Sequence, residues 1–128
     1  MIPELRTAIG TFLANIHNEV HFEEAPDDAE FPYLVYNLPN SFNDGTMENV
    51  VLEIDGWDDP RDGDTTALET MMEAVNGTEE EPGLNRQVIQ GGGYAFICYL
   101  DNRLNLRDDN PHIRRRKYRY QVRTFQGS

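Results

Sequence analysis

The residues of this chain that could do chemistry are three histidines, one cysteine, several acidic loops and one run of bases. His17 and His21 stand four positions apart, the separation of two metal ligands on one helix face. A zincin pair also needs a glutamate directly after the first histidine, and position 18 is Asn18. A catalytic zinc would need a third protein ligand as well. Two surface histidines account for the same spacing, and His112 stands far from both. Cys98 lies inside the apolar run Tyr94-Ala95-Phe96-Ile97-Cys98-Tyr99-Leu100. No local motif puts a base beside it, so it reads as a small buried hydrophobe and not as a nucleophile. As the single cysteine it can form no internal disulfide and no cysteine zinc site, which suggests a reducing compartment.

Asp58, Asp62, Gly63, Asp64 and Glu69 fall at positions 1, 5, 6, 7 and 12 of a calcium-loop template. Position 3 is Pro60, which has no side-chain oxygen, and the residues before Asp58 read as a strand where the template wants a helix. A turn leading into a capped helix explains the segment without a metal. The acids of residues 23–30 and 79–81 read as solvated loops, and no glycosidase-style carboxylate pair stands out. Gly91-Gly92-Gly93 is not followed by Gly-Lys-Ser/Thr and leads into a strand, so it reads as a flexible approach to that strand and not as a phosphate loop. The expectation is a protein with no catalytic, cofactor or metal site, hence not an enzyme.

The strongest local signal is Arg114-Arg115-Arg116-Lys117-Tyr118-Arg119-Tyr120. Read as a strand, it places Arg116, Tyr118, Tyr120 and Val122 on one face. Arg115, Lys117, Arg119, Gln121 and Arg123 then share the other, a wet and strongly basic face. Interleaved tyrosines suit base stacking in nucleic-acid-binding sheets, but here they alternate away from the bases toward a core. Arg114, Arg115, Lys117, Arg119 and Arg123 are therefore candidates for a subunit or partner interface. The charge distribution points the same way. Residues 1–82 hold two bases against twenty acids, whereas residues 83–128 hold nine bases against three acids. A net charge of −12 opposes direct nucleic-acid binding. A chain split this way can join its own copies head to tail, and such contacts close into rings when the rotation allows.

Several elements must carry these residues. Leu5, Ile9, Phe12, Leu13 and Ile16 form one stripe of an amphipathic helix, with Pro3 and Glu4 suited to its first turn. Residues 23–32 are an acidic, proline-containing loop. Tyr33-Leu34-Val35-Tyr36 predicts a short strand closed by Pro39, with a turn at Asn43-Asp44-Gly45. Val50, Leu52 and Ile54 alternate with Val51, Glu53 and Asp55, so the two strands form a hairpin half-buried on one face. Asp64 is the expected N-cap of a second helix whose apolar face is Ala67, Leu68, Met71, Met72 and Val75, with Gly77 as its left-handed stop. Residues 78–93 look loop-like at both ends, at Glu79-Glu80-Glu81-Pro82-Gly83 and at Gly91-Gly92-Gly93. The apolar run at 94–100 reads as a central strand covered on both faces. The expected fold is α+β, a single domain over residues 1–128. It has a mainly antiparallel or mixed sheet and two helices packed on it.

At 128 residues one domain is the prior, and the chain is long enough to bury a core without disulfide or metal. Mean hydropathy is −0.66 and no apolar run approaches a membrane span, so no membrane partner is expected. The first residues show no secretory signal, and Asn76-Gly77-Thr78 reads as a chance sequon.

Four stretches together resemble the tail terminator (tail completion, tail-to-head joining) proteins of long-tailed bacteriophages. They are Phe31-Pro32-Tyr33-Leu34-Val35-Tyr36, Val51-Leu52-Glu53-Ile54-Asp55-Gly56-Trp57, the helix after Asp64, and Asp109-Asn110-Pro111-His112-Ile113-Arg114-Arg115-Arg116 running into the final strand. The Glu79-Glu80-Glu81 loop and the triple glycine depart from that pattern. The resemblance implies a structural protein of the virion, assembled in the host cytoplasm and located at the head–tail junction. It implies a homo-oligomeric ring, a hexamer, that caps the tail tube, stops its polymerisation and meets the neck proteins of the head connector. DNA would pass only as cargo, through an acidic lumen to which it does not stick. The competing readings are another neck or head-closure subunit, an acidic DNA mimic that binds its partner through residues 1–82, and a small hydrolase built on the acidic loops.

Overall fold

The computed structural model describes residues 2–43 and 48–126. The elements in chain order are α1 (Ile2–Ile16), β1 (Val20–Phe22), β2 (Tyr33–Asn43), β3 (Glu48–Asp58), α2 (Thr66–Asn76), β4 (Val88–Gly91), β5 (Tyr94–Arg107) and β6 (Arg114–Gln126). They form one six-stranded sheet in the order β1-β2-β3-β6-β5-β4. Only β1 and β2 pair in parallel, and the remaining pairs are antiparallel. The fold is α+β with a mixed sheet, as expected from the element pattern.

The core lies between one face of the sheet and the two helices. Leu5, Ile9 and Leu13 of α1 and Leu68, Met71, Met72 and Val75 of α2 are buried there. The strands answer with Leu34 and Tyr36, with Val50, Leu52 and Ile54, with Phe96 and Cys98, and with Tyr118, Tyr120 and Val122. The alternation on β3 and β6 was thus legible, because one face of each strand is dry and the period of a strand is two. Gly56 continues this inner face at the point where α2 comes closest. A Cβ there would meet the Met72 sulfur at 2.5 Å, so a side chain would push the helix off the strand. Both edge strands lie against α1: Arg6 reaches over the Phe22 ring of β1 at 4.1 Å, and Ala8 sits beside Gly91 of β4. The sheet therefore curls around α1.

Several expectations are corrected. Pro39 does not close β2. The strand runs on to Asn43, and Pro39 sits in a register shift between Asn37 and Asn40, where no ladder donor is required. The turn expected at Asn43-Asp44-Gly45 lies largely outside the described residues. β1, unread in the sequence, is three residues long, too short for an alternation to show. Within residues 78–93, read as loop-like at both ends and assigned no strand, β4 takes in Gly91 and forms the sheet's far edge. Gly92 and Gly93 are no flexible approach to a strand. They turn the β4–β5 hairpin with φ of +59° and +84°, a conformation suited to glycine. β5 is neither central nor covered on both faces. It is the second strand from that edge, and its Tyr99 is exposed while Ala95, Phe96 and Cys98 are buried.

The second helix starts at Thr66 with Thr65 as its cap residue, one position later than expected. Asp64 still does the capping work, accepting bonds from the Thr66 amide at 2.9 Å and the Thr66 hydroxyl at 2.6 Å. Those two bonds hold the Asp64 carboxyl below its ordinary range. Ala67 points to solvent, not to the core. Gly77 takes φ of +101° with ψ of 156°, which is not the left-handed helical cap expected. Its neighbour in space is Gly83, and a Cβ on either glycine would run into the backbone of the other.

Candidate functional site

The sheet face turned away from the helices carries the residues singled out in the sequence. Here the register decides the chemistry. β6 lies antiparallel to β3 with Asp55 opposite Lys117, Glu53 opposite Arg119 and Trp57 opposite Arg115. Cross-strand partners on one face are near enough to touch, so the bases of β6 meet the acids of β3. Arg115 Nε donates to Asp55 Oδ1 at 3.1 Å, and Lys117 Nζ donates to Glu53 Oε1 at 3.3 Å. Arg119 donates through Nε and Nη2 to Glu53 Oε2 at 2.9 and 2.7 Å. Lys117 also stands 3.9 Å from Asp55, which links the pairs into one ladder. Burial works to raise the Glu53 pKa, but the Arg119 hydrogen bonds and the Lys117 charge outweigh it and hold the carboxyl below its ordinary range.

This corrects the wet, strongly basic face. The side chains of Arg115, Lys117 and Arg119 are only 26%, 16% and 35% exposed, and each is ion-paired. The pairs span 60 to 66 positions in sequence, so no local window could show them. Part of the charge contrast between the two halves of the chain is in this way cancelled within the fold. Arg116, on the helix side, is likewise tied to Glu69 of α2 at 2.6 Å. Of the interface candidates, Arg114 donates to the Pro111 carbonyl oxygen at the β5–β6 turn, and Arg123 is exposed. The structure therefore groups Arg115, Lys117 and Arg119 but leaves Arg114 on the opposite face and Arg123 further along the strand.

At one end the ladder passes into an aromatic row that sequence reading missed. The Arg115 guanidinium lies 4.6 Å from the Trp57 ring centre, Trp57 stacks on Tyr33 at 6.2 Å, and Tyr33 meets exposed Phe31 at 5.2 Å. Burial, with the nearby Asp108 carboxylate second, raises the Tyr33 pKa, against the opposing pull of Arg115. The signal was available in the strand assignments: once β2 and β3 pair as a hairpin, Tyr33 and Trp57 fall opposite each other.

The candidate catalytic groups do not converge. His17 Nε2 bonds the Pro32 carbonyl at 2.7 Å, whereas His21 Nε2 bonds Glu19 Oε1 at 2.8 Å. His112 is exposed on the β5–β6 turn. Burial pushes the Cys98 thiol up to about 12, the opposite of what a nucleophile needs. Along the calcium-like loop, Asp58 accepts from the Asp59 amide, Asp62 from the Asp64 amide, and Asp59 pairs with Arg61. Among the described residues no three metal-binding side chains come together. A recess of about 570 Å³ lies between α1 and the β4–β5 turn and is lined mainly by apolar groups such as Ala8, Phe12 and Ile89. What the arrangement offers is surface recognition by paired charges and aromatics.

No protein-family model matches the chain, and no curated protein matches it. Solved structures do match. One is a chain of the "Virion of native gene transfer agent (GTA) particle", with a TM-score of 0.69 at 14% identity, covering 96% of this chain and 96% of that one. The likeness is one of fold, end to end.

Proposed function

We propose that this chain is a structural subunit of a phage-like virion, and within it a tail terminator. Copies join in a ring that caps the tail tube, halts its growth and meets the neck of the head. The observation that carries the reading is the end-to-end fold likeness to a chain of a virion particle. The four sequence stretches that resemble tail terminators support the finer role, and they fall on structured parts of this fold. Phe31 to Tyr36 and residues 51–57 supply the β2–β3 hairpin and its aromatic row. Residues 109–116 form most of the β5–β6 turn and the first residues of β6.

The proposed work is assembly and not catalysis. A tube polymerises because each ring offers the surface that the next one needs. A terminator matches that surface on one side and fails to reproduce it on the other, which is selection by a mismatched second face. Among the described residues no helix is long and apolar enough to cross a membrane, and the role asks for none. The test is deletion of the gene in the producing virus or particle. Filled heads with unattached tubes of uncontrolled length are the expected result, and purified protein added to growing tubes should stop them at one end at amounts far below the tube subunit. Normal, head-joined tails after deletion would overturn the assignment and favour an acidic DNA mimic.

A further inference from the structure

β5 is fourteen residues long, but its outer side is covered for only half that length. β4 pairs with residues 94–97, and Asn85 reaches Cys98 and the Leu100 amide. From 101 to 107 the strand has β6 on one side and no described strand on the other. A row of free backbone donors and acceptors of this kind is a template for an added strand. The stretch opens with a register shift at Asp101 and then presents Arg103 and Arg107, both exposed. Neither has an ion-pair partner among the described residues, unlike Arg115, Lys117 and Arg119 of the open face. Arg103 lies 5.9 Å from the Tyr118 ring centre and so stays at the rim of the strand.

The other end of the sheet is its electrostatic complement. β1 is the edge strand there, and the adjoining loop carries Glu23, Glu24, Asp27, Asp28 and Glu30, all exposed, with no lysine or arginine among residues 19–32. These acids also have no ion-pair partner among the described residues. We propose that the edge of β5 over residues 101–107 receives the β1 edge of a second copy, with the acids of its 23–30 loop meeting Arg103 and Arg107. The two surfaces are different and sit on opposite edges of one sheet. The contact is therefore heterologous, and repetition of it generates a ring or a helix and not a closed pair. This rests on the self-assembly reading above. It places the seam at the sheet edges, away from the ion-paired bases of β6.

Two charge-reversed proteins test it. Arg103→Glu with Arg107→Glu makes both edges acidic, and Glu24→Arg, Asp27→Arg, Asp28→Arg and Glu30→Arg together make both edges basic. In sedimentation at low salt, each alone should associate at least about tenfold more weakly than the wild type. An equimolar mixture should recover, because the two proteins can alternate around the assembly with every seam opposite in charge. Amide hydrogen exchange on the wild type should slow within residues 101–107 on assembly. Wild-type association by either variant, or exchange at 101–107 that assembly leaves unchanged, would overturn the seam while self-assembly stands. A wild type that stays monomeric at every concentration would overturn both.

Discussion

β3 and β6 lie side by side over eleven residue pairs, and their two faces are held together by different physics. On the helix side, Leu52 opposes Tyr120 and Ile54 opposes Tyr118, all buried. On the open side, one residue along, Glu53 opposes Arg119 and Asp55 opposes Lys117. The first face gains by excluding water beneath two helices. The second has no helix above it and still leaves Asp55 only 8% exposed, because the bases lie along the acids. A one-residue slip in register would put the carboxylates in the core and the leucine outside. The two faces therefore specify the register jointly.

The largest effect belongs on the dry face. Leu52→Ala removes a fully buried side chain between β3, β6 and α2. The loss should be about 2–5 kcal/mol of unfolding free energy in urea titration. An unchanged midpoint would mean that the helix layer is not what holds the strand.

A smaller effect belongs on the charged face, and it should depend on pH. Glu53→Gln leaves Lys117 and Arg119, both partly buried, without their shared carboxylate. The cost at neutral pH should be about 1.5–3 kcal/mol, the range for hydrogen bonds to charged groups. The folded pKa of Glu53 lies below its ordinary value of 4.5. Its contribution is thus fully present above 4.5 and is lost as the pH falls through the lower folded pKa. The gap between wild type and variant should close on acidification below 4.5, whereas the Leu52→Ala gap should not narrow for this reason. A Glu53→Gln deficit that is constant from pH 7 to pH 3 would remove the ion pairs as its cause.

The same contrast explains what the sequence could disclose. The inward alternations of Val50, Leu52 and Ile54 and of Tyr118, Tyr120 and Val122 are local, and a half-buried strand needs no knowledge of its neighbour to show its period. The neutralisation of Arg115, Lys117 and Arg119 is not local. It exists only once residues 53–55 and 115–119 are placed side by side, so a run of bases on one strand read as a free surface. β1 and β4 escaped for a different reason. Strands of three and four residues take their stability from the sheet they join, and their own residues carry no clear pattern. Pro39 misled because a proline usually ends a strand, whereas a register shift can absorb it.

The smallest effect should be at Arg123. It is on the open face of β6, opposite Asn49 of β3 and Ile97 of β5, exposed and with no ion pair among the described residues. It is the one charged position of that strand face which the β3 ladder does not claim. Arg123→Glu should therefore change unfolding free energy by no more than about 0.5 kcal/mol, as expected of a surface substitution away from special features. That makes it the cleanest probe of whether the open face itself binds anything. If Arg123→Glu folds like the wild type but weakens association as strongly as reversal of Arg103 and Arg107, the assembly contact extends from the sheet edge onto the open face. If association is unchanged, the ladder on β3 and β6 acts only to hold its own two strands in register, and the two faces differ in physics while sharing one structural task.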